Sequence, residues 1–253
     1  MLLNHKIIGE GEPLVILHGL FGSLDNWLTH AKKLSEYYQV ILVDQRNHGH
    51  SDWSDDFNYS LLSNDLNELL EHLKLNQIIL LGHSMGGKTA IDFTQRFPEK
   101  IKKLIVVDIG VKEYPMHHDA ILKGLNAIDL NHIKVRSDAA KILSKYIDSE
   151  GVKQFLLKNL YWVQKGELAW RINIPVLERN MPNILSELNK DEVFEQTLFI
   201  RGALSNYILN EDIEDLEEVF NDFQLITIEN AGHWVHAEQP DKFIESVLPF
   251  CLR

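Results

Sequence analysis

Gly82-His83-Ser84-Met85-Gly86 has the G-x-S-x-G form in which a serine stands on a tight strand-to-helix turn with its hydroxyl exposed. The same stretch, read from Gly82 to Thr89, has the G-x-x-x-x-G-K-[ST] form of a loop whose amides cradle nucleotide phosphates. The two forms imply different chemistry. A phosphate loop would set Lys88 on the β/γ phosphates and Thr89 on magnesium, with an aspartate ending another strand, such as Asp108 after "LIVV", as its partner. A serine nucleophile needs a base to take its proton, a third group to orient that base, and amides to receive the oxyanion.

The rest of the chain separates them. The phosphate reading leaves "LVILHG" and "LITIENAGH" idle, and serine chemistry uses both. His233 lies in a loop after the last strand signal, where the base belongs. The turn "HGLFGS" follows an earlier strand and offers the Leu20 amide, which with the amide of Met85 makes an oxyanion hole. Three ordered signals outweigh one short pattern, and Lys88 and Thr89 become ordinary helix residues.

These residues need a frame to bring them together. "EPLVILHG", "QVILVD", "QIILLGH" and "KLIVVD" are short apolar runs suited to buried strands. Helical spacing falls between them at Leu24, Trp27, Leu28, Ala31 and Leu34, from about Leu61 to Leu73, and from Met85 to Phe97 before Pro98. This rhythm predicts a parallel sheet with helices on both faces. At the start, Asn4–Ile8 and the next strand, joined through Gly9-Glu10-Gly11, read as a hairpin. From Val111 to Lys190 helical stretches follow one another with no clear strand, "VKQFLLKNLYWV" among them. The expected division is therefore a core of residues 1–110 and 191–253 with a helical cap, 111–190, inserted in it. Strands resume with "QTLFIRG" and "FQLITIE", and a helix closes the chain after Pro240.

The bulk properties bound the partners. At 253 residues with 45% hydrophobic side chains, the chain has material for one large α/β core. A formal charge of −12 repels nucleic acid and anionic surfaces. A lone Cys251 rules out an internal disulfide, and no apolar run approaches the roughly 20 residues that cross a bilayer. The expected setting is cytoplasmic, with a small-molecule partner, no nucleic acid and no membrane insertion.

"HGLFGS", "VDQRNHGHS", "GHSMGGK" and "AGHWVHAEQP", in this order, resemble an α/β hydrolase. The pattern covers almost the whole chain and implies the α/β-hydrolase fold, with a mostly parallel twisted sheet under a helical cap. "RNHGHS", "GHSMGGK", the "VVDI" strand and "AWRINIPVL" are similar to the small bacterial acyl esterases of YbfF type. That resemblance implies hydrolysis of acyl esters or thioesters without a cofactor. A cofactor-free haloperoxidase would use the same residues, and a silent binding module on the same fold is the non-enzymatic alternative.

Many α/β hydrolases carry the triad acid in a G-x-x-D pattern after the strand that follows the cap. Here "GALSNY" places Ser205 there, and no carboxylate appears before Glu211. Asp108, ending the preceding strand, is the substitute and matches the acid of the resembled esterases. The expected triad is Ser84, Asp108 and His233. Asp44 is expected to organise the "QRNHGHS" loop; His18 and His83 read as scaffolding, and His236 lies too close to a helix to be the base. His117-His118 has no partner at metal-ligand spacing and reads as surface histidines. Among the cap aromatics, Trp162 and Trp170 are the candidates to line an acyl pocket.

Overall fold

A computed structural model describes residues 1–133 and 135–252; Lys134 and Arg253, the last residue of the expected core, lie outside them. In chain order the strands are β1 (His5–Ile8), β2 (Glu12–Leu17), β3 (Tyr38–Val43), β4 (Ile78–His83), β5 (Ile101–Val107), β6 (Leu160–Gln164), β7 (Glu167–Trp170), β8 (Thr197–Gly202) and β9 (Phe223–Ile228). The helices that matter here are α1 (Leu28–Leu34), α2 (Tyr59–His72), α3 (Met85–Arg96), α4 (Asp119–Asn126), α5 (Arg136–Leu143), α6 (Glu150–Leu157), α7 (Ile174–Arg179), α8 (Met181–Leu185), α9 (Ile213–Val219), α10 (Val235–Glu238) and α11 (Pro240–Leu252).

Seven strands form one sheet in the order β1-β3-β2-β4-β5-β8-β9, all parallel except β1. Alternate residues of each strand face opposite layers, as a period of two demands. Val15, Leu17, Leu80 and Val106 pack with α2 and α3, whereas Leu14, Ile16, Leu81 and Ile105 pack with α1 and α11. The short parallel strands thus bury both faces, which accounts for their unbroken apolar runs.

Two expectations need correction. β1 and β2 do not form a hairpin: β3 lies between them, antiparallel to β1 (His5 opposite Val43) and parallel to β2 (Leu14 opposite Val40). Leu14 to Leu17 are wholly apolar and fully buried, so β2 takes a central place with a partner on each side, and the half-polar β1 goes to the edge. The segment between β5 and β8 is also not all helical. α6 stops at Leu157, and "LYWVQKGELAW" forms the β6–β7 hairpin, with Leu160 opposite Trp170. Its aromatic and β-branched residues favour strand, and Gly166 supplies the positive φ of the tight turn at 85°. Among the described residues no helix is long and apolar enough to cross a membrane.

Candidate active site

The site forms at the carboxyl ends of the strands, where an open parallel sheet leaves a crevice. Ser84 follows β4 directly and has φ 53° and ψ −122°, a backbone state that side chains rarely adopt. The glycines around it allow the turn: a Cβ on Gly82 would stand 2.1 Å from the Gly86 carbonyl oxygen, and one on Gly86 would stand 2.6 Å from that of Leu17. The strained turn is held from below, since the Ser84 amide donates to Val107 of β5 at 3.0 Å and the Gly87 amide to Ser84 at 2.8 Å.

His233 reaches Ser84 from the loop after β9. Its Nε2 accepts the Ser84 hydroxyl at 2.9 Å, and its Nδ1 donates to Asp108 Oδ2 at 2.8 Å. Asp108 directly follows β5 with φ 53° and is fully buried. Its Oδ1 accepts the Gly202 amide at 3.0 Å, and its Oδ2 also accepts the hydroxyl of Ser205. The residue in the G-x-x-D position therefore donates to an acid carried on the neighbouring strand. Burial pushes the Asp108 carboxyl up to about 6 against the pull of those two donors, and burial pushes the His233 imidazole down to about 3. At neutral pH the pair is carboxylate and neutral imidazole, the state in which His233 can act as a base.

The His233 loop is fastened at several points. His83 Nε2 donates to the His233 carbonyl at 2.8 Å, and Glu238 of α10 accepts the Gly232 amide at 2.8 Å. Tyr207 stacks on the imidazole with ring centres 3.7 Å apart and planes 14° apart. Its hydroxyl donates to His117 Nε2, whose Nδ1 donates to Pro115 at 2.6 Å. His236 is not near the serine hydroxyl in any hydrogen bond; it stacks on Trp27 at 4.2 Å, and its carbonyl accepts from His30 Nε2 at 2.9 Å.

Leu20 and Met85 both border the cleft at Ser84. Met85 is the first residue of α3, so its amide has no acceptor within the helix. Of the next amides in the turn after β2, Phe21 donates to His48 Nε2 at 3.2 Å and Gly22 to Gly19 at 2.9 Å. That turn is propped by a buried polar chain: Gln45 donates its amide to His18 Nε2 at 3.0 Å and its side chain to the His18 carbonyl at 2.7 Å, and His18 Nδ1 donates to Gly19 at 2.8 Å. Burial pushes His18 down to about 4 and His48 to about 3, so both stay neutral and keep the lone pair that accepts an amide. Asp44 ties the same region together by accepting the Leu24 amide at 2.8 Å and the His50 amide at 2.9 Å.

Lys88 is not an ordinary helix residue. It is 1% exposed, and its amino group, pushed down to about 7 by burial, donates to the carbonyls of Lys112, at 2.7 Å, and Ser186, near the Tyr114 ring. A phosphate loop would aim this amine at its ligand; here two backbone oxygens hold it. Thr89 is likewise engaged, donating to Gln45 Oε1 at 2.9 Å.

The cavity over Ser84 is lined by Phe21, Trp27, Ile121, Phe155, Tyr207 and Trp234, with His117 and His118 at its edge. Both histidines border the cavity: His117 is also exposed, as the surface reading expects, whereas His118 is half-buried against it. Burial holds His118 down to about 3. Trp162 and Trp170 are absent from the lining: Trp162 is 44% exposed on the hairpin, and Trp170 packs against the apolar core. Trp162 lies on β6 and Trp170 on β7, and the cap aromatic that lines the cavity is Phe155 of α6.

The family described as alpha/beta hydrolase fold matches residues 12–133. A putative esterase/lipase of Haemophilus influenzae is 41% identical over 94% of this chain and 82% of its own length. Esterase YbfF of Escherichia coli is 37% identical over 94% of this chain and 92% of its own, and a mouse sn-1-specific diacylglycerol lipase, ABHD11, is 37% identical over 94% and 80%. A solved structure of a marine microorganism esterase superposes with a TM-score of 0.96 at 44% identity, covering 98% of this chain and 99% of that one. Identity sustained over nearly the whole of this chain and at least 80% of each such relative, on a sheet and elbow of this form, places the chain in the α/β-hydrolase family.

Proposed function

We propose that the protein is a serine esterase that cleaves carboxylic esters or thioesters of small acyl compounds, with Ser84, His233 and Asp108 as its triad. The observation that carries this reading is the continuous hydrogen-bond chain from Ser84 through His233 to Asp108 at 2.9 and 2.8 Å. His233 removes the Ser84 proton as Oγ attacks the acyl carbon, and the amides of Leu20 and Met85 receive the oxyanion. His233 returns the proton to the departing alcohol or thiol, which leaves an acyl-serine. Water, deprotonated by the same imidazole, then releases the carboxylic acid and restores Ser84. Asp108 holds the proton on Nδ1 and stabilises the imidazolium. No step calls for a cofactor. Residues 111–190 act as the cap, contributing Phe155, Ile121 and the two histidines to the wall, over a core of residues 1–110 and 191–253. The names of the relatives support ester hydrolysis.

The test is labelling by a fluorophosphonate probe together with turnover of p-nitrophenyl and coenzyme A esters. Ser84→Ala is expected to lose labelling and to retain only about 10³ to 10⁴ over the uncatalysed rate. Turnover near that of the wild type in Ser84→Ala overturns the proposal.

A further inference from the structure

The space around Ser84 is divided unequally, and the chemistry of the triad says which part of an ester goes where. The cavity on the His233 side has a volume of about 280 Å³, and past the Phe155–Trp234 pair, whose rings stand 6.0 Å apart, it adjoins a second cavity of about 540 Å³. The two share Asn26, Phe155, Trp234 and His236, so they form one arm leading out between α6 and α10. Its inner part is aromatic, and its outer part carries Ser149, Gln154 and Lys158. Toward Met85 and Lys88 a separate cleft, which shares Leu20, Ser84, His118 and Tyr207 with the first cavity, holds only about 20 Å³. A space of about 10–15 Å³ by this measure admits one water-sized group. The cleft therefore takes a methyl group and little more.

Its walls are also fixed. Tyr59 donates its hydroxyl to Ile184 at 2.6 Å and Tyr114 donates to Tyr207 at 2.9 Å, so neither ring can swing aside without stranding a buried hydroxyl. Leu20, Ile109, Ile184 and Leu185 add apolar wall, and His118 and Tyr207 stand between this cleft and the large arm, bordering both.

His233 must protonate the leaving oxygen or sulfur, so the leaving group has to lie on the imidazole side and the acyl group on the other. The large arm includes His233 and the small cleft does not. Resting on the serine-esterase reading above, we infer that the substrates are acetyl esters or thioesters of bulky leaving groups with an apolar stem and a polar far end. The bond broken joins the acetyl carbonyl to the alcohol oxygen or thiol sulfur, and water completes the products as acetate and the free alcohol or thiol.

Two ester series test this. With p-nitrophenol as the constant leaving group, kcat/KM is expected to fall by about tenfold or more from acetate to octanoate; with acetyl as the constant acyl group, it is expected to rise by about tenfold from ethyl to octyl acetate, since each buried methylene adds affinity. Leu185→Ala should move the preferred acyl group from acetate to butyrate or hexanoate, and Ile109→Val provides a milder enlargement should the first variant fail to fold. Phe155→Ala should lower kcat/KM for octyl acetate more than for ethyl acetate. A wild-type enzyme that prefers octanoate to acetate, or cleft variants that fold and keep the acetate preference unchanged, overturns the inference and leaves the esterase reading standing. Failure of both series, with no fluorophosphonate labelling of Ser84, overturns the esterase reading itself.

Discussion

Replacing Asp108 by Asn isolates what the carboxylate does for His233. In the native site Oδ1 accepts the Gly202 amide at 3.0 Å, and Oδ2 accepts Ser205 and His233 Nδ1, the latter at 2.8 Å. Asparagine keeps the shape and has one oxygen. If that oxygen stays on Gly202, the NH₂ faces Nδ1 and donates to it, which moves the imidazole proton to Nε2, where it opposes the Ser84 hydroxyl. Turning the amide over restores the tautomer but sets NH₂ against the Gly202 N–H, a buried clash of donors costing about 1–3 kcal/mol. In either orientation a neutral oxygen or nitrogen replaces the anion that faces the imidazolium, and a charge-assisted hydrogen bond exceeds a neutral one by about 1–2 kcal/mol. The flipped route thus raises the barrier by roughly 2–5 kcal/mol, or about 30-fold to 5,000-fold in rate. An amide that stays trapped with NH₂ on Nδ1 brings the loss to about 10⁴.

The assay is kcat on p-nitrophenyl acetate at neutral pH, with circular dichroism to confirm the fold. Glu211→Gln, an exposed carboxylate after the usual acid position, should stay within about twofold. Asp212 is not exposed as an acidic helix residue would be: it pairs with Lys112 and accepts the Leu209 amide at 2.7 Å, so Asp212→Asn should lower stability before it lowers kcat. Ser205→Asp combined with Asp108→Asn should recover part of the rate, because the Ser205 hydroxyl already touches the oxygen that accepts His233 Nδ1. Full activity in Asp108→Asn with loss in Glu211→Gln would refute the assignment of the acid.

The acid limb of kcat/KM should follow the same pair. Both Asp108, raised to about 6, and His233, lowered, must be deprotonated for base catalysis, so activity is present at higher pH and falls as pH drops through about 6; a profile from about pH 4.5 to about 9 that rises toward acid would contradict this. Lys88→Met strands the carbonyls of Lys112 and Ser186 and should cost about 1–3 kcal/mol, lowering Tm by roughly 3–10 °C in a chain of this size. Calorimetry should find no magnesium–ATP binding with Lys88 present; micromolar binding that Lys88→Met removes would restore the phosphate-loop reading. Tyr207→Ala removes the ring stacked on His233, and as such a ring favours the imidazolium by up to about 2 kcal/mol, kcat should fall by about 10–30-fold with KM little changed, while Tyr207→Phe retains activity. Equal losses in the two variants would locate the effect in the hydroxyl.

What could be read from the sequence depended on whether a local constraint or a distant partner set the outcome. The elbow was legible because only glycine fits at Gly82 and Gly86 with the chain this close to Leu17 and to itself, so the geometry writes itself into residue type over five positions. The central strands were legible because burial on both faces removes polar residues. The place of β1 is not legible locally, because Gly9 and Gly11 permit a turn without fixing which strand the chain pairs with next, and that choice belongs to β3, more than twenty residues away. The aromatic wall is hidden from the sequence for a related reason. Phe155, Trp162 and Trp170 are alike in composition and neighbours in sequence, and all satisfy the demand for apolar surface in the cap. Which of them faces Ser84 depends on where α6 ends, at Leu157, and the hairpin begins, and on the contact that Phe155 makes with Trp234 from the His233 loop. Ser205 lies between these cases. The missing carboxylate was visible and pointed to Asp108, but the hydroxyl's contact with that acid required β5 and β8 to be adjacent, with Asp108 donating its amide to Ile200 at 2.8 Å. The absent acid and the present one are thus joined by strand order, and a serine at that position keeps a donor where a second carboxylate would repel the first.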